Sequence, residues 1–371
     1  SGTFINSIKN NVYLDNVNFE NNNLYLGYSS SWNSLIADGG YLEVRNSKFI
    51  HNTPNFAAID GQSQSLPTGV YGSTFLTNND ELIIDNCTFI NNSKGSKGAV
   101  HTNNNTKVTN SIFIGNSANS YSGYGGAIRS DNGYLDIEKC IFVNNSAYYS
   151  VSSWSGSVSG NDGTAIYNTN GDLNIKDSII ISNITQYSAI YNTASDVSID
   201  INGNYWGNDT PEGFYKSSTS GAEITVDDWV ILGIRVIPEE NNNYRDNITV
   251  KAVFCKNTDG SQVTTLPDYD NVSFASKMGE LEKESVEVVG CEATTTFTIG
   301  NSPFVITATY PNMEAEYVGE AVMPEPKIIT LNDGNWTTYF NDDGTPNMEI
   351  IVPNSELRFE GEFNDRFMLI T

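Results

Sequence analysis

The sequence predicts an all-β protein: a right-handed parallel β-helix, then an immunoglobulin-like β-sandwich, then the start of a second β-helix. Three observations predict it. The pattern Phe-x-x-Asn recurs at Phe19, Phe49, Phe89, Phe113 and Phe142, with an aliphatic residue five positions earlier each time (Leu14, Val44, Ile84, Val108, Ile137). A second mark, a small residue then an apolar one, precedes the later turns at Thr74-Phe75, Ala99-Val100, Ala127-Ile128, Ala165-Ile166 and Ala189-Ile190. From residue 234 onward the texture changes to short alternating strands with turn signals between them.

Ile175 and Ile199 extend the aliphatic series to seven turns, with spacings of 30, 40, 24, 29, 38 and 24 residues. The shortest turn leaves no room for an amphipathic helix beside its strands. Three short strands and three corners do fit, each coil lying about 4.8 Å above the last. Asn, Gly and Asp tolerate the left-handed backbone of tight corners, and an Asn at the same corner of each coil can stack its amide on the next. Longer turns carry insertions at 24–37, 53–72, 117–125 and 146–163, all leaving after a Phe-x-x-Asn corner and therefore expected on one side of the rod.

The coil pattern stops at 202–208, where Tyr205 and Trp206 replace the repeat. With Phe214 and Trp229 they are expected to cover the open end. The expected organisation is a β-helix over 1–210, a cap and connector over 211–233, a sandwich over 234–323, and a linker with the first strands of a further β-helix over 324–371. Sandwich strands are expected at 248–254, 272–274, 285–289, 294–299 and 304–310, and C-terminal strands at 328–329, 349–352, 357–359 and 367–370. Ser1 falls inside a strand pattern, so the sequence is expected to be a piece of a longer repetitive chain.

Charge narrows the partners. With 19 basic against 44 acidic residues and a net charge of −25, nucleic acid and anionic lipid are excluded, because a phosphate surface must be met by positive charge. No apolar run is long enough to span a bilayer. Nine Asn-x-Ser/Thr triplets, at Asn86, Asn91, Asn104, Asn144, Asn183, Asn208, Asn247, Asn271 and Asn335, are compatible with an extracellular glycoprotein. Cys87 and Cys140 occupy equivalent places two coils apart, too far to bridge, and read as small buried fillers. Cys255 and Cys291 fall in the sandwich region and are expected to pair as a disulfide.

Two motifs carry a family resemblance. The Phe-x-x-Asn repeats with Gly125-Gly126-Ala127-Ile128 resemble those of chlamydial polymorphic membrane proteins. The run Gly203-Asn204-Tyr205-Trp206-Gly207-Asn208, followed by Val226-Asp227-Asp228-Trp229-Val230 and an immunoglobulin-like stretch, is similar to adhesin-like proteins of methanogenic archaea. The resemblance implies an archaeal, extracellular, cell-surface fibre that contacts other cells, surface glycans or proteins, or neighbouring copies of itself.

The insertions are the expected place of contact. They hold aromatic rings among Ser and Gly, of which Tyr121, Tyr124, Tyr148, Tyr149 and Trp154 are the candidate binding residues. Competing readings are a structural filament associating head to tail and a polysaccharide-degrading β-helix enzyme. The enzyme needs carboxylates clustered on one exposed strand face with a cation beside them. The coil acids are expected to be spread among corners instead, with only Arg45 and Arg129 as coil arginines. His51 and His101 read as turn residues, and the Asp groups at 268, 270, 333, 342 and 343 as solvated loops rather than a calcium site. No catalytic residue, metal or cofactor is expected.

Overall fold

The computed structural model describes residues 5–7, 10–25, 36–38, 40–55, 76–78, 80–93, 98–120, 123–150, 158–160, 162–181, 183, 187–257, 259–332, 334–342, 345–348 and 350–361. The described chain is nearly all β, with a single short helix, Trp336–Tyr339. From Ile5 to Tyr205 the chain visits three parallel sheets in turn, over and over. The first sheet runs from Ile5–Ser7 to Tyr215–Ser217, the second from Val12–Asp15 to Ile199–Asp200, and the third starts at Asn18–Glu20.

Equivalent residues lie directly over one another. Leu14, Val44, Ile84, Val108, Ile137 and Ile175 align in the second sheet. In the third sheet the five Phe rings stack inward, with centroids 5.1, 4.8, 4.7 and 5.0 Å apart from Phe19 to Phe142. Flat rings stacked along the axis fill the core with no register freedom, since a slip of one residue would turn them outward.

The Asn of each Phe-x-x-Asn motif from Asn52 to Asn145 is buried, with Asn22 half-buried, and its hydrogen bonds explain the spacing. Asn116 Nδ2 donates to Phe89 O of the preceding coil at 2.9 Å and to Asn145 Oδ1 of the next at 3.0 Å. Its Oδ1 in turn accepts from the backbone N and Nδ2 of Asn92 at 3.1 and 2.9 Å. The same ladder runs from Asn22 through Asn52 to Asn183. A buried amide costs little when all its groups are paired. At the corner between the second and third sheets Asn16, Asn46, Asn86, Asn110, Lys139 and Asp177 all have φ near +50°; at the corner after the third sheet Asn21, His51, Asn91, Gly115 and Asn144 do the same. His51 is therefore a turn residue as expected.

The structure shifts the expected register at two points. Val100 pairs with Leu76, so Phe75 rather than Thr74 precedes the equivalent apolar position in that coil. Ile199 pairs with Leu173, so the residue that follows Ile175 in the inward column is Ile201, which is fully buried.

The third sheet does not end with the coil. Asn204–Tyr205 pairs in parallel with Trp229–Ile237, and the antiparallel strands Asn247–Lys256, Glu292–Ile299 and Gly279–Leu281 continue the same sheet. A second antiparallel layer, Ser285–Glu287, Asn271–Lys277, Phe304–Tyr310 and Met313–Gly319, faces it. Their shared core also includes Ile141, Val143, Ile179 and Ile181, from the outer face of the coil's third sheet. The expected boundary at 210–234 is thus crossed by one sheet and one core.

The two aromatics at the coil's end divide the work. Trp206 turns into the coil core with Phe214 and Ile224, and Trp229 packs against it. Tyr205 does not cover the coil as expected: alternation turns it to the other face, edge-on to Phe254 and Tyr310 at 5.4 and 5.5 Å. Cys255 and Cys291 are free thiols, which corrects the expected disulfide. Cys291 lies in the core with Phe254, whereas Cys255, one residue on, faces the opposite side of its strand. Cys87 and Cys140 are free and buried, in a corner column with Ser47, Ser111 and Ser178.

At the C-terminal end Ile328–Leu331 pairs in parallel with Glu356–Phe359. Trp336 stacks on Phe340 at 4.2 Å, over Leu331 and Ile351. The expected strand at 349–352 is not formed in its described residues, which turn so that Ile351 and Val352 are buried. The expected strand at 367–370 lies outside the described residues.

Candidate contact face

Each first-sheet strand is a tripeptide whose first and third residues face the coil interior. The middle residue faces outward, and register aligns His101, Arg129, Tyr167, Tyr191 and Lys216 in one column. The Arg129 guanidinium carbon lies 5.1 Å from the Tyr167 ring centre, Tyr167 and Tyr191 are 5.7 Å apart, and Lys216 Nζ is 5.9 Å from the Tyr191 centre. Tyr124, from the insertion at 117–125, stacks on Tyr167 at 4.5 Å. Insertion and coil meet in a single aromatic and cationic stripe. Each cation set over a ring is stabilised by about 0.5–1 kcal/mol at exposed sites.

Two carboxylates hold the ends of this stripe. Asp131 Oδ2 lies 2.8 Å from His101 Nε2, and Asp131 Oδ1 accepts from Arg129 Nε at 2.6 Å and Thr169 Oγ1 at 3.3 Å. Burial acts to raise its pKa, but the His101 and Arg129 contacts outweigh that and hold it well below the usual carboxylate range. Asp162 accepts from Lys216 Nζ at 2.6 Å and from the Ser188 backbone and hydroxyl at 3.0 and 3.2 Å. It too is lowered against the opposing effect of burial, chiefly by Lys216. His101 is thus a buried strand residue paired with a carboxylate, not the turn residue the sequence predicts.

The insertions gather as predicted where they are described. Asn23–Tyr25 pairs with Thr53–Asn55, and Ser117–Ser120 pairs with Ser146–Ser150, which also pairs antiparallel with Val158–Gly160. Of the candidate residues, Tyr124 joins the stripe, and Tyr148 and Tyr149 sit on Ser146–Ser150, opposite Asn119 and Ser120. Tyr121 and Trp154 lie outside the described residues. Tyr167, Tyr191 and Lys216 are missing from the sequence reading, and Asp131 and Asp162 enter it only among the acids expected at corners. Their signal was present: the second residue after each small-residue mark is His101, Arg129, Tyr167 and Tyr191.

A second polar group lies on the outer face of the second sheet. Arg45 pairs with Glu43 and, through Nη1, with Asp85 Oδ2 at 2.7 Å. Tyr41 donates to Glu43 at 2.8 Å, while Thr109 and Asn110 donate to Asp85 at 2.6 and 2.9 Å. Two acids therefore do share a strand face with a cation, which corrects the expectation that coil acids are spread among corners. Burial, followed by the Glu43 contact, pushes the Tyr41 hydroxyl up to about 12. Both carboxyls are held low by their donors, and a carboxylate so engaged is a weak base. Among the described residues, no three His, Cys, Asp or Glu side chains come together as a metal would require.

No protein-family model, curated protein or solved structure matches this chain. The site rests on its own geometry. The sequon residues differ in access: Asn86, Asn91, Asn144, Asn208, Asn247 and Asn271 are exposed, Asn104 and Asn335 are half-buried, and Asn183 is buried in the Asn ladder.

Proposed function

We propose that this chain is a segment of an extracellular, cell-surface adhesin-like protein. In this reading a right-handed parallel β-helix runs into an immunoglobulin-like sandwich, and the insertion-bearing side makes contact with another cell's surface. One observation carries it: Tyr124, from an insertion, extends the outward column of Tyr167 and Tyr191 with Arg129 and Lys216 at its ends. Tyrosine edges with hydroxyls, flanked by cations, suit a protein or sugar surface at low entropic cost.

A filament reading has its own support in the C-terminal strand pair. Ile328 and Glu356 are partners 28 residues apart, within the 24–40 range of the coil spacings, as one turn of a second β-helix would require. The polysaccharide-degrading enzyme is disfavoured because the donors around Glu43 and Asp85 leave both carboxyls ill suited to move a proton.

Cell attachment of protein-coated beads decides between contact and packing. Changing Tyr124, Tyr148 and Tyr149 together to Ser should reduce attachment at least tenfold and leave the thermal unfolding of the protein nearly unchanged. Unchanged attachment with a large fall in unfolding temperature would make these rings part of the rod's own packing.

A further inference from the structure

The fold separates four of the nine sequons by what each amide already does. At Asn183 both side-chain N–H hydrogens are engaged, to Phe142 O at 2.8 Å and to Ile181 O at 2.9 Å. Its Oδ1 accepts from the Asn145 backbone and side chain at 2.8 and 3.1 Å, and the residue is 3% exposed. An N-glycosidic bond replaces one of those hydrogens. A sugar there would break the last rung of the ladder and require space inside the coil.

Asn144 is the opposite case. It sits at an exposed corner with φ +54°, and its side chain has no hydrogen bond among the described residues. Its neighbour Asn145 is buried, whereas Asn144 is exposed. Asn86 and Asn91 occupy exposed corners with φ +51° and +52° at the two ends of Thr88–Ile90. Each holds one side-chain contact, Asn86 Nδ2 to Asn46 Oδ1 at 2.8 Å and Asn91 Nδ2 to His51 Nε2 at 3.2 Å. A glycosylated amide keeps one hydrogen, so either contact can persist.

The place of these corners gives the modification a physical role. The outward column of the third sheet reads Glu20, Ile50, Ile90, Ile114, Val143, Ile181. Val143 and Ile181 lie in the shared core and Ile114 packs on it, while Ile50 and Ile90 lie beyond. Both remain half-buried. Oligosaccharides at both ends of the Ile90 strand would shield that apolar stripe, of a kind that folded surfaces otherwise keep small.

We propose that Asn86, Asn91 and Asn144 carry N-linked oligosaccharides and that Asn183 never does. The donor is a lipid-phosphate-linked oligosaccharide. The bond from sugar C1 to the phosphate oxygen breaks, a bond from C1 to Asn Nδ2 forms, and the displaced amide proton ends on the released lipid phosphate. The inference rests on the extracellular placement proposed above.

Glycopeptide mass mapping of the full protein, recovered separately from the surface and the cytoplasm of its source cells, tests it. Sugar mass is expected at Asn86, Asn91 and Asn144, with Asn183 unmodified in every surface copy. N144Q should lose one glycan and keep its unfolding temperature, whereas N183Q should keep all three and unfold at a lower temperature. Surface protein bare at the three corners, or carrying sugar at Asn183, overturns the inference and leaves the surface reading standing. Protein confined to the cytoplasm overturns both.

Discussion

The coil and the two-layer region solve the same problem with opposite chemistry. Inside the coil, polar side chains are as much a part of the interior as the Phe column: Asn52, Asn92, Asn116, Asn145 and Asn183 are buried and paired coil to coil. The two-layer region, from Trp229–Ile237 to Met313–Gly319, fills its interior mainly by alternation of apolar residues on antiparallel strands, with Phe254, Phe297, Phe304 and Tyr310 at its centre and Thr295 a buried polar exception. A coil contacts its neighbours above and below, so a polar residue repeated in register always finds its copy as a partner. Antiparallel layers place unlike residues opposite each other, and there only apolar side chains are indifferent to which partner they meet.

The comparison breaks most visibly at the seam. Tyr205→Ala removes a ring set edge-on to both Phe254 and Tyr310, and a loss of about 3–5 kcal/mol is expected. Phe113→Ala, in the middle of the stacked column, should cost a similar ~3–5 kcal/mol. The difference lies in where the loss appears in hydrogen exchange: around both Ile179–Ile181 and Asn247–Lys256 for the first, and around Ile112–Ile114 and the adjoining coils for the second.

Next in size is the ladder itself. Asn116→Ala takes the partner from the Asn92 backbone and side-chain amides and from Phe89 O. With each buried unsatisfied group costing about 1–3 kcal/mol, a loss on the order of 3 kcal/mol is expected by denaturant titration. An equal swap of a buried Thr in the two-layer region, Thr295→Ala, removes only the reciprocal bonds to Lys283 and should cost less.

Acid gives a smaller contrast. Asp131, Asp162, Asp85 and Glu43 have pKa values lowered by folding, so the stability they contribute is present above their unfolded values, about 4, and lost as pH falls through the folded ones. In the two-layer region Glu292 is the lowered carboxyl held by an ion pair, with Lys251. Exchange protection measured from pH 6 down to pH 2 should therefore hold in Ile128–Ser130 and Ile166–Asn168 until below about pH 4 and fall towards the acid end of the range, with a larger total loss than in Asn247–Lys256. The smallest effect is expected at Lys139, at φ +52° in a corner column where four other positions are Asn. Lys139→Asn should raise stability by up to about 1 kcal/mol, the scale of the left-handed penalty it relieves.

What the sequence made legible follows the same division. The Phe and Asn columns could be read because identical residues recur at a fixed offset, and identity is what stacking selects. Where the repeat becomes irregular, legibility failed: Ile201 rather than Ile199 continues the inward column, because the last coil is two residues longer than the aliphatic pattern implies. The outward column was missed for a related reason. His101, Arg129, Tyr167, Tyr191 and Lys216 share a position but, outside the Tyr pair in Ala-Ile-Tyr-Asn-Thr at 165–169 and 189–193, not a residue type, so only the small-residue mark before four of them recurs. Tyr205 was read as a cover because aromatic residues at a coil's end suit that role; its strand parity, visible only once Trp206 is placed inward, sends it the other way.

The central claim is that one sheet and one core join the coil to the two-layer region. Native-state hydrogen exchange of the wild-type chain and of Tyr205→Ala measures it directly. The account predicts that Ile141–Val143, Ile179–Ile181, Trp229–Ile237 and Asn247–Lys256 open with one shared free energy, and that Tyr205→Ala lowers protection in all four together. Opening of the coil strands with a free energy of their own, unmoved by Tyr205→Ala while Asn247–Lys256 loses protection, would contradict it.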